Sequence, residues 1–275
     1  MGYKIKKGIL YLLLILLAAA CMFPFWMMIV NATRSGNEIV TGFTMIPSMH
    51  LKENWEQVFK YFNLFKGMLN SLLVAIPATL LCAYFSTMTA YGLAFYKFKG
   101  NKIVFGAILA FMMIPGQLSL IGFYQLCTKM HLVNSYIPLI IPAIASPGTV
   151  FFLKQYTESS LSRSLIEAAR IDGASELYSF HRIVIPILSP AVATMGIMSF
   201  IGNWNNYLLP MIIINKNEKM TLPVMMATLK ASTDINANQG AIYLSVAISV
   251  IPILLVFAFF SKYIISSVSA GAVKE

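Results

Sequence analysis

Six long intervals of the chain contain no Asp, Glu, Lys or Arg, and they dominate its hydrophobic pattern. Each holds at least the ~20 residues that a helix needs to cross the hydrocarbon core of a bilayer. A helix also satisfies its own backbone N–H and C=O groups, for which lipid offers no partner. The pattern therefore predicts an all-α polytopic membrane protein with six transmembrane helices. The intervals are 8–33, 67–96, 103–128, 130–153, 183–215 and 235–261.

The composition agrees with a membrane protein. Of 275 residues, 58% are hydrophobic and only 11% are charged, against about 25% charged in a typical soluble domain. The three cysteines lie in apolar runs and read as small core residues rather than a disulfide framework. The sequence has no GxxxxGK[ST] pattern, so we do not expect this chain to bind ATP through a P-loop.

The net charge of +10 comes from basic residues scattered between the apolar intervals. This scatter favours positive-inside topology over nucleic-acid binding. With the N-terminus inside, 12 of the 20 Lys and Arg fall on the cytoplasmic side, including the tight basic turn Lys97–Lys102 and Lys274 near the end of the chain. The prediction is that both termini are cytoplasmic.

The first interval begins like a secretory or lipoprotein signal, with lysines before an apolar run that reaches Ala20-Cys21. The run continues to Val30, however, which is too long for a cleaved signal. We therefore expect a retained first helix.

An amphipathic segment, Ser162–Pro190, separates the fourth and fifth apolar intervals. Ser164 and Glu167 have the spacing of a capping box, which predicts a helix start at this point. Gly173 is suited to end that helix, and a second helical stretch is predicted over Ala174–Arg182 before Pro186. The segment reads either as a docking element at the membrane surface or as an ordinary amphipathic loop.

A second polar cluster, Asn203-Trp204-Asn205-Asn206-Tyr207, lies within the fifth interval. Hydrogen-bonding side chains are costly in lipid, so we expect them to face a cavity, a partner subunit or the outer interface. An interfacial aromatic belt with helix-end amides explains the cluster equally well.

The amphipathic segment also carries a resemblance to a known family. Glu167-Ala168-Ala169, Gly173, Ile183, Ile185 and Pro186 resemble the EAA motif of permease subunits of binding-protein-dependent ABC importers, with Ile185 where leucine is usual. The string EAARIDGAS is similar to the carbohydrate-importer branch, as are Phe200 with Trp204, Asn205 and Tyr207, the Thr221-Leu222-Pro223 loop, and the Gly-Ala-Val-Lys end of the chain.

The resemblance implies a cytoplasmic coupling helix between helices 4 and 5, within an EAA segment over 160–190. Glu167 would cap that helix or contact a basic group on an ATPase, the two alanines would allow close seating, and Gly173 would set the bend. The implied coupling residues are Ser164, Glu167, Ala168, Ala169, Asp172, Gly173, Ala174 and Pro186. Asn203–Tyr207 would then belong to the translocation pathway.

The resemblance also implies the partners and the organisation of the chain. The partners are a second homologous permease subunit, two ABC ATPase subunits and an extracytoplasmic solute-binding protein, around a bacterial cell membrane. This chain would be no enzyme and bind no cofactor, with ATP and Mg²⁺ held in the ATPases. The expected regions are an N-terminal tail, first helix and outer loop (1–66), a transmembrane core (67–265) and a cytoplasmic tail (266–275).

The uncharged intervals bear on the source of energy. Carriers driven by protons or sodium place ionisable residues within the membrane, and these intervals contain no Asp, Glu, Lys or Arg. The energy is therefore expected to come from outside the membrane, or transport is passive. Together with this absence, the resemblance implies import of a sugar or oligosaccharide powered by partner subunits. The alternatives are an ABC permease for another solute, such as a phosphorylated polyol, and a passive channel or membrane scaffold.

Overall fold

The computed structural model describes residues 2–61, 63–230 and 239–272. Throughout these residues the chain is built from helices and turns, with no strand. Residues 235–238 of the predicted sixth interval, and residues 273–275 of the predicted tail with Lys274, lie outside the described residues. The α-helices are α1 (Gly2–Ala32), α2 (Gly36–Thr41), α3 (Leu51–Tyr61), α4 (Leu64–Phe95), α5 (Asn101–Met112), α6 (Leu120–Lys129), α7 (Ile137–Ile140), α8 (Pro147–Ser160), α9 (Arg163–Ile171), α10 (Glu176–Ser179), α11 (Ile185–Trp204), α12 (Leu208–Ile213), α13 (Leu222–Lys230) and α14 (Gln239–Ala272).

The described residues include five helical stretches that are long and apolar enough to cross a membrane, and a sixth if one bent pair forms a single span. The all-helical membrane class predicted from the sequence is confirmed. These stretches are Lys6–Ala32, Leu64–Phe95, Ile137–Ser160, which is interrupted at residues 145–146, Glu176–Trp204 and Gln239–Ser261.

The third predicted interval, 103–128, is not one straight helix. α5 ends at Met112, a new helical stretch begins at Gly116, and the two are bent by 90°. Pro115 has an extended backbone, with φ −61° and ψ 120°. A proline has no N–H to continue the helix and disfavours helical geometry in the preceding residue, so the break falls here.

The fifth predicted interval is displaced. The helical stretch begins at Glu176, six residues before Arg182, the charged residue that precedes the predicted interval. At the other end, α11 ends at Trp204. Residues 205–206 then separate α11 from the short α12. The prediction of one span over 183–215 was wrong at both ends, because absence of charge marks what lipid tolerates and not where a helix begins.

The chain divides into two compact units. One comprises 1–68 with 224–252, and the other 69–223 with 253–275. In the second unit, α8 packs against both α5 and α11, and α12 packs against α6 and α7. Its buried clusters include Ala90, Leu153 and Ala191 at the contact of α4, α8 and α11.

In the first unit, a network of hydrogen bonds holds the segment after α1. Arg34 is buried and donates to Asn31 Oδ1 at 3.1 Å, to Gly42 O at 2.7 Å and to the Glu38 carbonyl. Ser35 and Glu38 form a capping box at the start of α2, a feature that the sequence analysis did not identify. The loop is therefore locally ordered by polar contacts.

His50 joins two carboxylates of this network. Its Nδ1 lies 2.7 Å from Glu53 Oε2 and its Nε2 lies 3.4 Å from Glu38 Oε1. The hydrogen bond to Glu53 raises the pKa of His50, and the backbone hydrogen bond from Ser35 lowers the pKa of Glu38. The two shifts stabilise the charged forms of both groups.

We expect the loop over 35–54 to be more stable at pH 6 than at pH 8.5. A raised histidine pKa contributes stability below its unfolded value, near 6.5, that is lost as the pH rises through the folded value. The lowered pKa of Glu38 contributes above about 4.5, so pH 6 retains both contributions. Amide hydrogen exchange, corrected for the intrinsic rate, should show the difference in wild type and not in His50→Gln. Equal protection at the two pH values in wild type would contradict it.

Candidate functional site

The amphipathic segment forms α9, whose start differs from the prediction. The N-cap is Ser162, and its side chain makes no capping hydrogen bond to the helix. The Oγ atoms of Ser162 and Ser164 instead lie 2.7 Å apart. The capping box of Ser164 and Glu167 was wrong, because burial of Leu161 and Ile166 sets the register and leaves Ser164 already inside the helix.

The end of α9 matches the prediction for Gly173. This residue has φ +79°, and the bonds Gly173 N–H to Arg170 O (3.0 Å) and Ala174 N–H to Ala169 O (2.9 Å) complete a Schellman motif. A Cβ atom added at Gly173 would have no atom within 4 Å. The demand for glycine here is therefore one of backbone conformation and not of space.

A second helix follows the turn almost at once. Ser175 caps α10 by accepting a hydrogen bond from Tyr178 N–H at 3.3 Å. The helical stretch starts at Glu176 rather than at the predicted Ala174, which lies in the turn. Residues Phe180–Val184 form a π-helical turn that leads into α11, where Pro186 occupies the first turn and is exposed. The helical conformation thus continues from the surface segment into the long apolar helix α11.

One face of α9 is anchored and the other is open. Ile166 is 1% exposed and packs with Tyr91, Leu161, Phe180, Val184 and Leu188. Glu167, Ala168 and Asp172 are exposed, while Ala169 is partly buried. Glu167 lies in the middle of the helix, so it cannot serve as the cap.

Large apolar side chains stand next to the open face. Ile171 is 86% exposed, Leu177 61% and Tyr178 57%, and α9 lies outside every candidate span. A shallow depression runs along the turn between them, lined by Ala169, Asp172, Gly173, Ala174, Ser175, Tyr178, Arg182 and Ile183. Ile171 therefore exposes apolar surface outside a candidate span, which is typical of a protein contact, and Leu177 and Tyr178 continue this surface into the first residues of the span that begins at Glu176.

Two basic residues fasten the ends of α9 to the end of α4. The Arg163 guanidinium lies 6.0 Å from the Phe95 ring centre and donates to Ala94 O at 3.5 Å. Arg170 lies 5.5 Å from the Tyr96 ring centre, and its Nε donates to Glu176 Oε1 at 2.7 Å.

The second attachment is a three-residue clamp of Tyr96, Arg170 and Glu176. The Tyr96 hydroxyl donates to the other carboxylate oxygen of Glu176. Burial, followed by this hydrogen bond, raises the pKa of Tyr96, so the phenol remains a donor at physiological pH. The hydrogen bond to Glu176 likewise raises the pKa of Arg170. The sequence analysis missed the clamp, because its residues are up to 80 positions apart.

We expect Glu176→Gln to loosen α9 with little loss of global stability. Arg170 and Glu176 are about half exposed, and such pairs contribute below about 1 kcal/mol. In a double-mutant cycle on amide protection in α9, Tyr96→Phe should add no further loss to Glu176→Gln, since its charged acceptor is already gone. Fully additive losses would show that the clamp is not one unit.

The second polar cluster is divided between interior and surface. Trp204 is 2% exposed and stacks on Phe200 at 5.8 Å between ring centres, and Asn203 donates to Ser199 O at 2.8 Å within its own helix. Asn205 is exposed, and Asn206 and Tyr207 are partly buried. The structure therefore makes Trp204 a packing residue and leaves the amides nearer the surface.

Comparison with known proteins gives one matching family and relatives over nearly the whole chain. Residues 84–270 match the family described as "binding-protein-dependent transport system inner membrane component". The chain is 32% identical to an arabinooligosaccharides transport system permease protein of Bacillus subtilis, over 99% of this chain and 96% of the relative. It is 30% identical to a trehalose/maltose transport system permease protein of Thermococcus litoralis, over 98% of each.

A diacetylchitobiose uptake system permease protein of Streptomyces coelicolor is also 30% identical, over 96% of this chain and 88% of the relative. Among solved structures, the crystal structure of a bacterial ABC transporter involved in the import of the acidic polysaccharide alginate has a similar fold. The TM-score is 0.81 at 21% identity, covering 96% of this chain and 98% of that chain.

Proposed function

Since the chain belongs to the family of inner membrane components of binding-protein-dependent transport systems, we propose that it is one of two membrane subunits of an ATP-driven importer and that its solute is a sugar or oligosaccharide. The carbohydrate assignment is supported by relatives named for arabinooligosaccharides, diacetylchitobiose and trehalose or maltose. Delivery of the solute would fall to an extracytoplasmic binding protein.

The observation that carries the proposal is the combination of anchored and open faces on α9. Ile166 and the clamp hold one face firmly, while Ile171 remains exposed outside the candidate spans, and Leu177 and Tyr178 are exposed in the first residues of the span that begins at Glu176. A rigid element with an apolar outer face suits a contact through which force is transmitted. We assign that contact to the cleft of a partner ATPase subunit.

Motion of α9 would reach the membrane helices through its anchors. The cluster around Ile166 joins α9 to Tyr91 of α4 and to Leu188 of α11. When two ATPase subunits bind ATP and Mg²⁺ and close, displacement of α9 would therefore move both long helices. The chain itself would hydrolyse nothing. Its role would be to convert closure of the ATPases into a change in the helix bundle.

The exposed coupling residues have distinct roles in this proposal. Glu167 contacts a basic group on the ATPase, and Ala168 allows close approach. Gly173 sets the angle between α9 and α10. The remaining members, Ser164, Ala169, Asp172, Ala174 and Pro186, shape the helix ends and the turn.

The proposed topology has six spans, with α5 and α6 forming the third as a bent pair. The bias of basic residues puts both termini and α9 in the cytoplasm. The translocation pathway would be lined, at the end of α11, by Asn203, Asn205, Asn206 and Tyr207. Trp204 would support these side chains from the interior. A second homologous permease would supply the other half of that pathway.

Purification of the transporter through a tag on this chain tests the proposal. We expect two ATPase subunits and a second permease to co-purify. After reconstitution, a binding protein loaded with an oligosaccharide should stimulate both ATP hydrolysis and uptake.

Absence of any ATPase from the complex, or solute flux without ATP, would instead indicate a channel. Stimulation by a phosphorylated polyol and by no carbohydrate would overturn the assignment of the solute alone.

A further inference from the structure

A surface groove separate from the turn at Gly173 lies where α4 ends, α5 begins and α8 passes by. It is lined by the end of α4, the turn over 96–100, α5 as far as Leu109, and the side chains of Lys154, Glu158 and Arg163. Candidate spans end at Phe95 and begin at Asn101, so the groove opens at the border between apolar and polar surroundings.

The polar end of the groove has excess positive charge. Lys97, Lys102, Lys154 and Arg163 line it, against a single carboxylate. That carboxylate, on Glu158, is already paired with Lys154 at 2.7 Å. Lys97 and Lys102 are exposed, and lysines in this position keep their charged ends in the interfacial layer. The remaining positive charge, on Lys97, Lys102 and Arg163, is suited to binding an anion.

The backbone at the same end of the groove adds to the positive electrostatic potential of these basic side chains. α5 begins at Asn101, after Gly100 with φ +97°, and no side chain caps its first turn. First-turn N–H groups have no partner within their own helix and carry the positive end of its dipole. Anions bind readily at such helix ends.

The other end of the groove is apolar. Ile103, which is 78% exposed, and Phe105, Gly106 and Leu109 form a wall along α5. No residue of α5 is buried within the chain. A free phosphate ion gains nothing from this wall, whereas an acyl chain gains apolar contact along the helix. A charged end joined to an apolar end matches an amphipathic ligand.

We propose that this groove binds an anionic phospholipid, with the phosphate headgroup between Lys97, Lys102 and the start of α5 and an acyl chain along the α5 wall. Basic pockets between membrane helices are known to bind anionic headgroups. Phe105 of the apolar wall also stabilises the charge of Lys154 at the polar end of the groove, because its ring centre lies 4.4 Å from Lys154 Nζ.

The groove is also connected to α9. Arg163 lines the groove and is the first residue of α9. Occupancy by a headgroup therefore adds a contact at the end of the helix that we assign to ATPase docking. This connection rests on the proposed function, whereas lipid binding requires only that the chain is in a membrane.

The test measures lipid binding directly, on the whole transporter in nanodiscs of phosphatidylcholine. We expect added phosphatidylglycerol to bind saturably, and Lys97→Gln/Lys102→Gln to weaken that binding about ten-fold. Lys97→Arg/Lys102→Arg should restore it. The matched control is Lys52→Gln/Lys60→Gln, which removes two lysines from α3 and should leave binding unchanged.

Equal phosphatidylglycerol binding by wild type and Lys97→Gln/Lys102→Gln would overturn the lipid site. Displacement of the lipid by millimolar inorganic phosphate would also overturn it and identify a soluble phosphate as the ligand. Cross-linking of α5 to a protein subunit, with no lipid bound, would assign the groove to an interface. None of these measurements uses transport. A result that overturns the lipid site therefore leaves the function proposed above intact.

A second readout tests the connection to α9. Phosphatidylglycerol should raise the uptake per ATP hydrolysed in wild type and not in Lys97→Gln/Lys102→Gln. Lipid binding without any change in that ratio would leave the site in place and overturn the connection.

Discussion

Gly173→Val is expected to abolish most solute uptake while the importer still assembles. The turn requires φ +79° at this residue, a conformation that costs a non-glycine residue about 1–2 kcal/mol and a β-branched one more. A shifted turn would misdirect α10 and tilt α9 in the cleft of the ATPase subunit to which we assign it. We expect uptake per ATP hydrolysed to fall about ten-fold or more, since 1.4 kcal/mol corresponds to a factor of ten.

The matched control for this change is Gly173→Asn. Asparagine tolerates the left-handed conformation, and a Cβ atom at this position would have no neighbour within 4 Å. Gly173→Asn should therefore retain most of the coupled transport. Unchanged transport in Gly173→Val would refute the proposed role of the turn, and equal loss in both variants would point to the exposed surface instead of the backbone.

The second large effect is expected from the two isoleucines of α9, which have the same side chain and opposite environments. Ile166 is 1% exposed, so Ile166→Ala leaves a cavity in the cluster that anchors α9. Such changes typically cost about 2–5 kcal/mol. We expect a lower midpoint of thermal unfolding and a loss of uptake.

Ile171→Ala should separate docking from stability. Because Ile171 is 86% exposed, its truncation should leave the unfolding midpoint within error of wild type. The variant should nevertheless recover less ATPase subunit on purification, by about ten-fold if Ile171 is a central contact. Full ATPase recovery with Ile171→Ala would remove this residue from the interface, and an unchanged midpoint with Ile166→Ala would contradict its role as the anchor.

These results would distinguish two properties of the same short helix. In the proposed mechanism its inner face, through Ile166 and the clamp, would make it move with α4 and α11. Its outer face, through Ile171 and the residues near Gly173, would give a partner a surface to hold. A substitution on the outer face should lower ATPase recovery while the unfolding midpoint, which reports on the inner face, stays unchanged.

Much of the site was predictable because its signals are local. Gly173 followed from the conformation that ends helices, and its Schellman bonds span only a few residues. The capping box failed although it is also a local signal. The spacing of Ser164 and Glu167 fits that motif, but the buried side chains of Leu161 and Ile166 placed Ser162 at the helix start.

The membrane class, the approximate positions of the apolar helices, the glycine turn and the family can all be read from the amino-acid sequence. These depend on composition, on the ~20 residues needed to cross lipid and on motifs of a few residues. Only the tertiary structure decided which face of α9 is buried, how Arg163 and Arg170 fasten it, where α5 and α6 bend apart, and which lysines share a groove. The reason is distance along the chain. Tyr96 and Glu176 are 80 residues apart, and whether two such residues meet is set by the packing of whole helices.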